Sequence, residues 1–416
     1  MLRFPNCIGH NVLTMEQQRL SSFSPKIEVV LHNSKKMVDE FRINSRKRCN
    51  SGVIRCSGNE IAPGDKFDDG YYMKRCVELA RKGVGYTSPN PMVGCVIVKD
   101  GKVVGEGFHP KPGQPHAEVF ALRDAGDLAE NATAYVTLEP CNHYGRTPPC
   151  TEALIEANVA NVVVGMVDPN PIVASTGIKK LQEAGINVKV GVEEEICKRL
   201  NEAYIHCMLT GKPFLTLRYS KSMDGRMVNK VGEEAEMCGG YYSKLLQEYD
   251  AVIVSSSTLV KKSSIPISNE PGANQPHLIV LKTSPDSLTR IPALRNVSSK
   301  LTIVSAKDAS SETLTDQEGT QMLSLDRICL PDILEHCKLQ GSCSVLLDLM
   351  WTDADFDNIL KEGLEQNLFQ KAIVEVLPIF NGRQGPSSND LDTKVKAVKR
   401  STSGVSGKSV LLEGYF

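Results

Sequence analysis

Between Tyr71 and Val190 the apolar positions alternate between helical and strand spacing. Met73, Val77 and Ala80 share one face of Tyr71–Lys82, with Gly83 past its end, so this segment is predicted to be helical. Met92–Val98 is a short apolar run. Behind it, Lys99-Asp100-Gly101-Lys102 is a hairpin turn that leads into Val103–Gly107. The pattern then predicts helices over Glu118–Asp124, Thr151–Asn158 and Gly177–Glu183, and strands over Ala132–Leu138, Val162–Val167 and Asn187–Val190. Glu193–Leu209 reads as one polar-faced helix leading to Lys212-Pro213. Residues 66–211 thus read as an α/β unit, a mixed sheet flanked by helices.

A second α/β unit is predicted over 212–416. It opens with Phe214–Tyr219 and continues through strands at Ala251–Val254, Leu278–Leu281, Leu301–Val304, Ser344–Leu347 and Ala372–Leu377. Helices over Tyr241–Glu248 and Asp355–Leu364 fall between them, and Lys261–Gln275 reads as a surface loop. Lys394–Lys399 and Ser409–Tyr415, joined by a Ser/Gly turn, read as a closing hairpin.

Charge divides the chain again. Residues 1–55 hold ten Lys/Arg, four Asp/Glu and six Ser and no sustained apolar periodicity, a net charge of +6 that leaves −7 for the rest of a chain whose total is −1. A basic, acid-poor leader without an apolar core fits an organellar transit peptide over 1–56, and Val53-Ile54-Arg55-Cys56-Ser57 resembles a plastid processing site. A basic arm that stays attached is the alternative. No apolar run approaches the roughly 18–20 residues of a membrane-spanning helix. An acidic remainder argues against a nucleic-acid partner. Thirteen cysteines at irregular spacings read mostly as reduced, buried small residues.

Cys141 and Cys150 stand apart. His116-Ala117-Glu118 is followed by Pro140-Cys141 and then by Cys150. One imidazole and two thiolates are the ligand set of a catalytic zinc, which lets water ionise near neutral pH. Glu118, two residues after the His, is placed as a general acid/base rather than a ligand, as in the zinc deaminase signature. Both ligand groups precede predicted helices, whose N-termini favour thiolates. The competing readings are three unrelated core residues, or a closed structural site with His143 as fourth ligand.

The spacing also carries a resemblance. Eight residues separate the two cysteines here, where the usual cytidine deaminases have two. Pro140-Cys141-Asn-His-Tyr-Gly-Arg-Thr-Pro-Pro-Cys150, Ser88-Pro89-Asn90-Pro91-Met92-Val93-Gly94, Phe108-His109 and Asp168-Pro169-Asn170-Pro171 resemble the riboflavin-biosynthesis pyrimidine deaminases, from about residue 70 to the C-terminus. The resemblance implies a cytidine-deaminase-like domain followed by a dihydrofolate-reductase-like domain. It also implies one catalytic Zn2+, a phosphoribosylaminopyrimidine as small-molecule substrate, and import into the plastid stroma. Asn90, His109, His143, Arg146, Asp168 and Asn170 would hold the base and ribose phosphate. Arg146 is the leading phosphate contact, because a guanidinium matches phosphate in a fork. Turn chemistry is the alternative for the Asn-Pro and Asp-Pro pairs.

In the second unit, Phe214–Arg226 is similar to the opening of the family's NADPH-dependent reductase domain. The family's glycines are missing: Ser255-Ser256-Ser257-Thr258 and Lys262-Ser263-Ser264 replace a Gly-x-Gly-Thr segment and its acids, and Asp348-Leu349-Met350-Trp351 replaces Glu-Gly-Gly. Side chains there oppose close approach of a pyrophosphate to backbone, so NADPH is not expected as a cofactor. A bifunctional deaminase-reductase, a nucleic-acid base deaminase and a metal-stabilised interaction protein remain as alternatives. Homo-oligomer formation is left open.

Overall fold

The computed structural model describes residues 68–145, 147–262, 264–282, 294, 300–307, 320–348, 356–380 and 399–416. The chain divides into two compact units, Met1–Gly64 and Asp65–Phe416, and every described residue belongs to the second. The basic leader, Arg146, Ser263 and Leu349-Met350-Trp351 therefore lie outside the described residues.

The first half is built on α1 (Asp69–Ala80), β1 (Gly94–Lys99), β2 (Lys102–Phe108), α2 (Ala117–Ala125), β3 (Thr133–Leu138), α3 (Cys150–Glu156), β4 (Asn161–Met166), α4 (Thr176–Glu183) and β5 (Asn187–Val190). Asp68 caps α1 by accepting from the Tyr71 N–H at 2.9 Å. The predicted stripe of α1, Met73, Val77 and Ala80, is buried, and Cys76 is buried with it. The β1–β2 hairpin turns at Asp100 and Gly101, whose φ of 52° and 75° is the left-handed pair an Asp-Gly turn supplies. The sheet order is β2-β1-β3-β4-β5, antiparallel at β2/β1 and β1/β3 and parallel at β3/β4 and β4/β5. This is the mixed sheet the sequence predicts.

The single helix expected over Glu193–Leu209 is instead two, α5 (Glu194–Leu200) and α6 (Glu202–Thr210). Asn201 breaks them at φ −118°, ψ 24°. Its buried amide accepts from the Met92 N–H at 2.8 Å and donates to the Met92 carbonyl at 2.9 Å. These tertiary bonds outweigh continuation of the helix.

The second half contains β6 (Phe214–Ser222), β7 (Met227–Val228), α7 (Tyr241–Glu248), β8 (Ala251–Ser255), α8 (Ser256–Lys262), β9 (His277–Leu281), β10 (Leu301–Ala306) and β11 (Thr320–Leu325). It continues with α9 (Leu330–Leu339), β12 (Ser344–Asp348), α10 (Phe356–Glu365), β13 (Phe369–Leu377), β14 (Lys399–Ser406) and β15 (Ser409–Tyr415). Among the described residues these strands make a ten-stranded sheet, β11-β10-β9-β8-β12-β6-β13-β15-β14, with β7 on β6. From β11 to β13 the path is parallel, and the β13–β15–β14 edge is antiparallel. Parallel strands covered on both faces are apolar throughout. Leu215, Ile253 and Leu347 face one core cluster, while Val252, Val254 and Leu346 face the other. The closing hairpin exists but sits further along than expected. Its Ser/Gly stretch lies within β14, and the turn falls between Ser406 and Ser409.

The ten described cysteines are free thiols. No helix among the described residues is long and apolar enough to cross a membrane.

Candidate metal centre and active site

The site forms where β3 ends and two helices begin. His116 is the N-cap of α2, in extended backbone. Cys150 is the first residue of α3, and Cys141 follows β3 after Glu139 and Pro140. α2 lies directly on β2 because two glycines leave room for its backbone. A Cβ on Gly107 would stand 2.3 Å from the Ala117 carbonyl oxygen, and one on Gly105 would stand 2.3 Å from that of Ala121. This close packing fixes where His116 and Glu118 project.

The donor atoms of His116, Cys141 and Cys150 all lie within 4.8 Å of one another. His116 Nδ1 is 3.2 Å from Cys150 Sγ and 3.5 Å from Cys141 Sγ, and the Cys150 N–H donates to Cys141 Sγ at 3.3 Å. Hydrogen bonding from Cys150, and then from His116, holds the Cys141 thiol well below its ordinary range, while Cys150 is pushed up as its partner. Beside them Glu118 is buried, and its Oε2 has no hydrogen-bond partner. Burial first, and then the Cys141 charge, raises its carboxyl to about 7. Two thiols, an imidazole and an unsatisfied carboxylate oxygen fit a zinc ion with one position left to solvent. His143 lies on the exposed loop and is not in the cluster.

A cavity of about 550 Å³ opens over this centre, and Asn90, His109, His143, Asp168 and Asn170 line it. Arg146, expected among them, lies outside the described residues. The Asn90 amide donates to His109 Nε2 at 3.1 Å, which leaves Nδ1–H to donate to the Pro115 carbonyl at 3.2 Å. Burial lowers the His109 pKa, in keeping with a neutral ring. Asp168 and Asn170 also do turn work. Asp168 Oδ1 accepts from the Asn170 N–H at 2.8 Å, and Asn170 Oδ1 from that of Ile172 at 3.1 Å. The turn chemistry therefore applies to this pair, which also borders the cavity. Burial raises the Asp168 carboxyl.

Among the lining residues that the sequence reading did not single out are Glu139, Tyr204 and Met208. Glu139 is buried and receives four backbone N–H bonds, from Asp168 and Ser175 on Oε2 and from Gly177 and Ile178 on Oε1, at 2.9–3.3 Å. It ties the Asp168–Asn170 loop and the start of α4 to the strand that leads to Cys141. Its signal was a carboxylate ending an apolar strand immediately before Pro140-Cys141. Tyr204 and Met208, one turn apart on α6, complete the wall. Nothing in that helix's polar pattern marks them.

Residues 67–166 match the family described as the cytidine and deoxycytidylate deaminase zinc-binding region. The chain is 55% identical over 360 residues to the chloroplastic riboflavin biosynthesis protein PYRD of Arabidopsis thaliana, covering 84% of each. It is 54% identical over 376 residues to the protein of the same name from Zea mays, covering 89% of this chain and 94% of that one. Among solved structures, RibD of Acinetobacter baumannii is similar at a TM-score of 0.70 and 33% identity, over 83% of this chain and 98% of that one. A diaminohydroxyphosphoribosylaminopyrimidine deaminase/5-amino-6-(5-phosphoribosylamino)uracil reductase from Thermotoga maritima matches with the same score and coverage at 27% identity. The metal centre therefore serves a zinc-dependent deamination, its location is the plastid, and a reductase-like half follows the cytidine-deaminase-like one. The chain belongs to the RibD/PYRD family of riboflavin biosynthesis, in which it carries the zinc-dependent deamination step.

Proposed function

We propose that this chain hydrolyses the 2-amino group of 2,5-diamino-6-(5-phosphoribosylamino)pyrimidin-4(3H)-one, giving the 5-aminouracil analogue and ammonia, and that it does not reduce the product. The observation that carries the first part is the buried Glu118 carboxylate, its Oε2 without a partner, beside the His116, Cys141 and Cys150 donors. Bound by those three side chains, zinc supplies the Lewis acidity that makes water a nucleophile near neutral pH. Glu118 takes the proton released by the attacking water and passes it to the departing amine, so the C–O bond forms as the C–N bond breaks. A carboxyl raised to about 7 suits both directions of that transfer. Asn90, His109, His143, Asp168 and Asn170, which line the cavity, hold the base and the ribose phosphate. Arg146 is assigned the phosphate on its sequence position, in the loop between Cys141 and Cys150.

The second part rests on the carboxyl ends of the parallel strands, where nucleotides bind in open α/β sheets. Ser255 ends β8, and its Oγ pairs with Ser257 Oγ, Thr258 Oγ1 and the Thr258 N–H at 3.0 Å, so the segment is occupied by its own hydroxyls. Asp348, at the end of β12, is engaged by Arg218 and Tyr242. The chain is accordingly divided into a leader at 1–56, a deaminase at 66–211 and a non-reducing remnant at 212–416. The net charge of −7 beyond residue 55 favours a free nucleotide over a nucleic acid.

The test is ammonia release from the ribotide by the zinc-loaded protein, followed by addition of NADPH. Stoichiometric ammonia without NADPH oxidation is expected. Failure with zinc bound would remove the substrate, and NADPH turnover would restore a bifunctional enzyme.

A further inference from the structure

The loop that carries Asn90 is gripped from the reductase-like half. Ser88 Oγ donates to Asp250 Oδ2 at 2.9 Å and approaches the Gly341 carbonyl oxygen at 3.4 Å. The Asn274 amide donates to the Gly85 carbonyl at 2.6 Å, the Tyr86 hydroxyl to the Gly272 carbonyl, and Cys343 Sγ to the Pro89 carbonyl at 3.9 Å. Gly85 leaves no room for a side chain, since a Cβ there would lie 2.6 Å from the Gln247 carbonyl oxygen. The Asn90 N–H donates to the Thr87 carbonyl at 2.7 Å, closing a turn around Ser88. Displacing Ser88 therefore displaces Asn90, and with it the bond to His109.

Asp250 is itself immobilised by the sheet. Its Oδ2 also accepts from the Cys343 N–H at 2.7 Å, the Ser344 N–H at 2.9 Å and Ser344 Oγ at 3.1 Å. Helix α6, which supplies Tyr204 and Met208 to the cavity wall, is held from the same half. Glu202 accepts from the Tyr415 hydroxyl at 2.6 Å and from Lys371 at 3.4 Å. Asp250, Ser344 and Lys371 sit at or near the amino-terminal ends of β8, β12 and β13, which run parallel in register with the start of β6. The altered nucleotide positions Ser255 and Asp348 are at the carboxyl ends. Change at one end of the sheet leaves the grip at the other intact.

We propose that Asp250 and Ser88 are positioning residues of the deaminase, through which the reductase-like half holds Asn90 ready for the pyrimidine. The proposal rests on the assignment of Asn90 as a substrate contact. It gives the second half a task that needs no cofactor. An acceptor fixed by three other donors holds a loop without further loss of freedom on substrate binding, which is how preorganisation strengthens binding.

The test uses full-length, zinc-loaded protein. Ser88→Ala removes the Ser88–Asp250 bond, one of several that cross to this loop, and leaves Asp250 its three bonds within the second half. It is expected to raise KM for the diaminopyrimidine ribotide about tenfold, the scale of one hydrogen bond to a charged group. Zinc content and unfolding midpoint are expected to hold, with kcat within about twofold, as for loss of uniform binding. Ser88→Thr keeps the hydroxyl and restores KM. Asp250→Ala removes the acceptor from the other side of the contact and raises KM as well, with the unfolding midpoint followed separately because the Cys343 and Ser344 donors also lose their partner. Asn90→Ala raises KM at least as much, and adding Ser88→Ala to it changes little more, because the two act through one contact. An unchanged KM in Ser88→Ala, or an effect fully additive with Asn90→Ala, overturns the grip while the deaminase reading stands. An unchanged KM in Asn90→Ala overturns the Asn90 assignment and the grip with it.

Discussion

Glu118 and Arg218 are each sealed from water, one in each half, with opposite surroundings. Glu118 faces the metal donors with Oε2 unpartnered. The Arg218 guanidinium meets Asp348 Oδ1 at 3.1 Å and Glu375 Oε2 at 2.7 Å, and also donates to Ser220 and Tyr241 at 2.7 Å. Tyr241 and Tyr242 in turn donate to Glu375 and Asp348 at 2.7 and 2.5 Å. A buried charge is costly unless paired. The second half meets most of that cost with its own side chains, since Arg218 is paired with two carboxylates although its Nε has no partner. The first half leaves Glu118 Oε2 without a partner, which is what the proposed transfer of a proton beside a metal requires. Neither burial nor a missing partner alone marks function, since Arg218 Nε shares both; the place of Glu118 beside the metal donors is what sets it apart.

The largest effect should come from removing the unanswered acid. Glu118→Gln keeps the shape and one hydrogen-bonding oxygen but cannot carry the proton, so ammonia release should fall by about 10³-fold or more. Zinc content, measured by atomic emission, should match the wild type. The metal-free protein should be at least as stable, because a buried carboxyl has gone. Substantial remaining turnover would end the comparison from the first side. Arg218→Met attacks the other side by leaving Asp348 and Glu375 unpaired in the core. A loss of about 3–5 kcal/mol is expected in urea unfolding, with zinc still bound by the folded fraction. A near-neutral result would mean the network is dispensable packing.

The sequence showed these two regions unequally. The metal donors and Glu118 were legible because four residues of three types, in fixed order, fit one chemistry. The apolar spacing of the first half located its strands to within about two residues, as did the Asp100-Gly101 turn. What escaped there depends on distant partners: the helix break at Asn201 answers Met92, and Glu139 acts through N–H groups some 30–40 residues away. In the second half β11 escaped because its six residues are half exposed and barely alternate. Helix α9 was missed as well, although Leu330, Ile333, Leu334 and Cys337 share one face behind a proline in the first turn and could have shown it. The Arg218 network joins β6, α7, β12 and β13, so no local pattern announces it.

His277 tests whether a buried group lacking one partner must be functional. It opens β9 with Nε2 bonded to Thr302 Oγ1 at 2.8 Å and Nδ1 without a partner, and Thr302 lies 3.3 Å from His336 Nε2. Burial, and then the neighbouring His336 and Lys300, lowers its pKa to about 4. The unfolded chain titrates this imidazole near pH 6.5 and so binds the proton first as pH falls. The stability His277 allows is therefore whole above about pH 6.5 and is lost progressively towards pH 4, on the order of 3 kcal/mol in total. Carboxylates also titrate in this window, so the measurement is a difference. Urea midpoints at pH 7 and pH 4.5 should separate less in His277→Asn than in the wild type, with ammonia release at pH 7 unchanged. Equal separations would show that the imidazole charges without penalty. A loss of deamination at pH 7 would show that His277 reaches the metal half, and that a missing partner in the second half carries the same meaning as the one at Glu118.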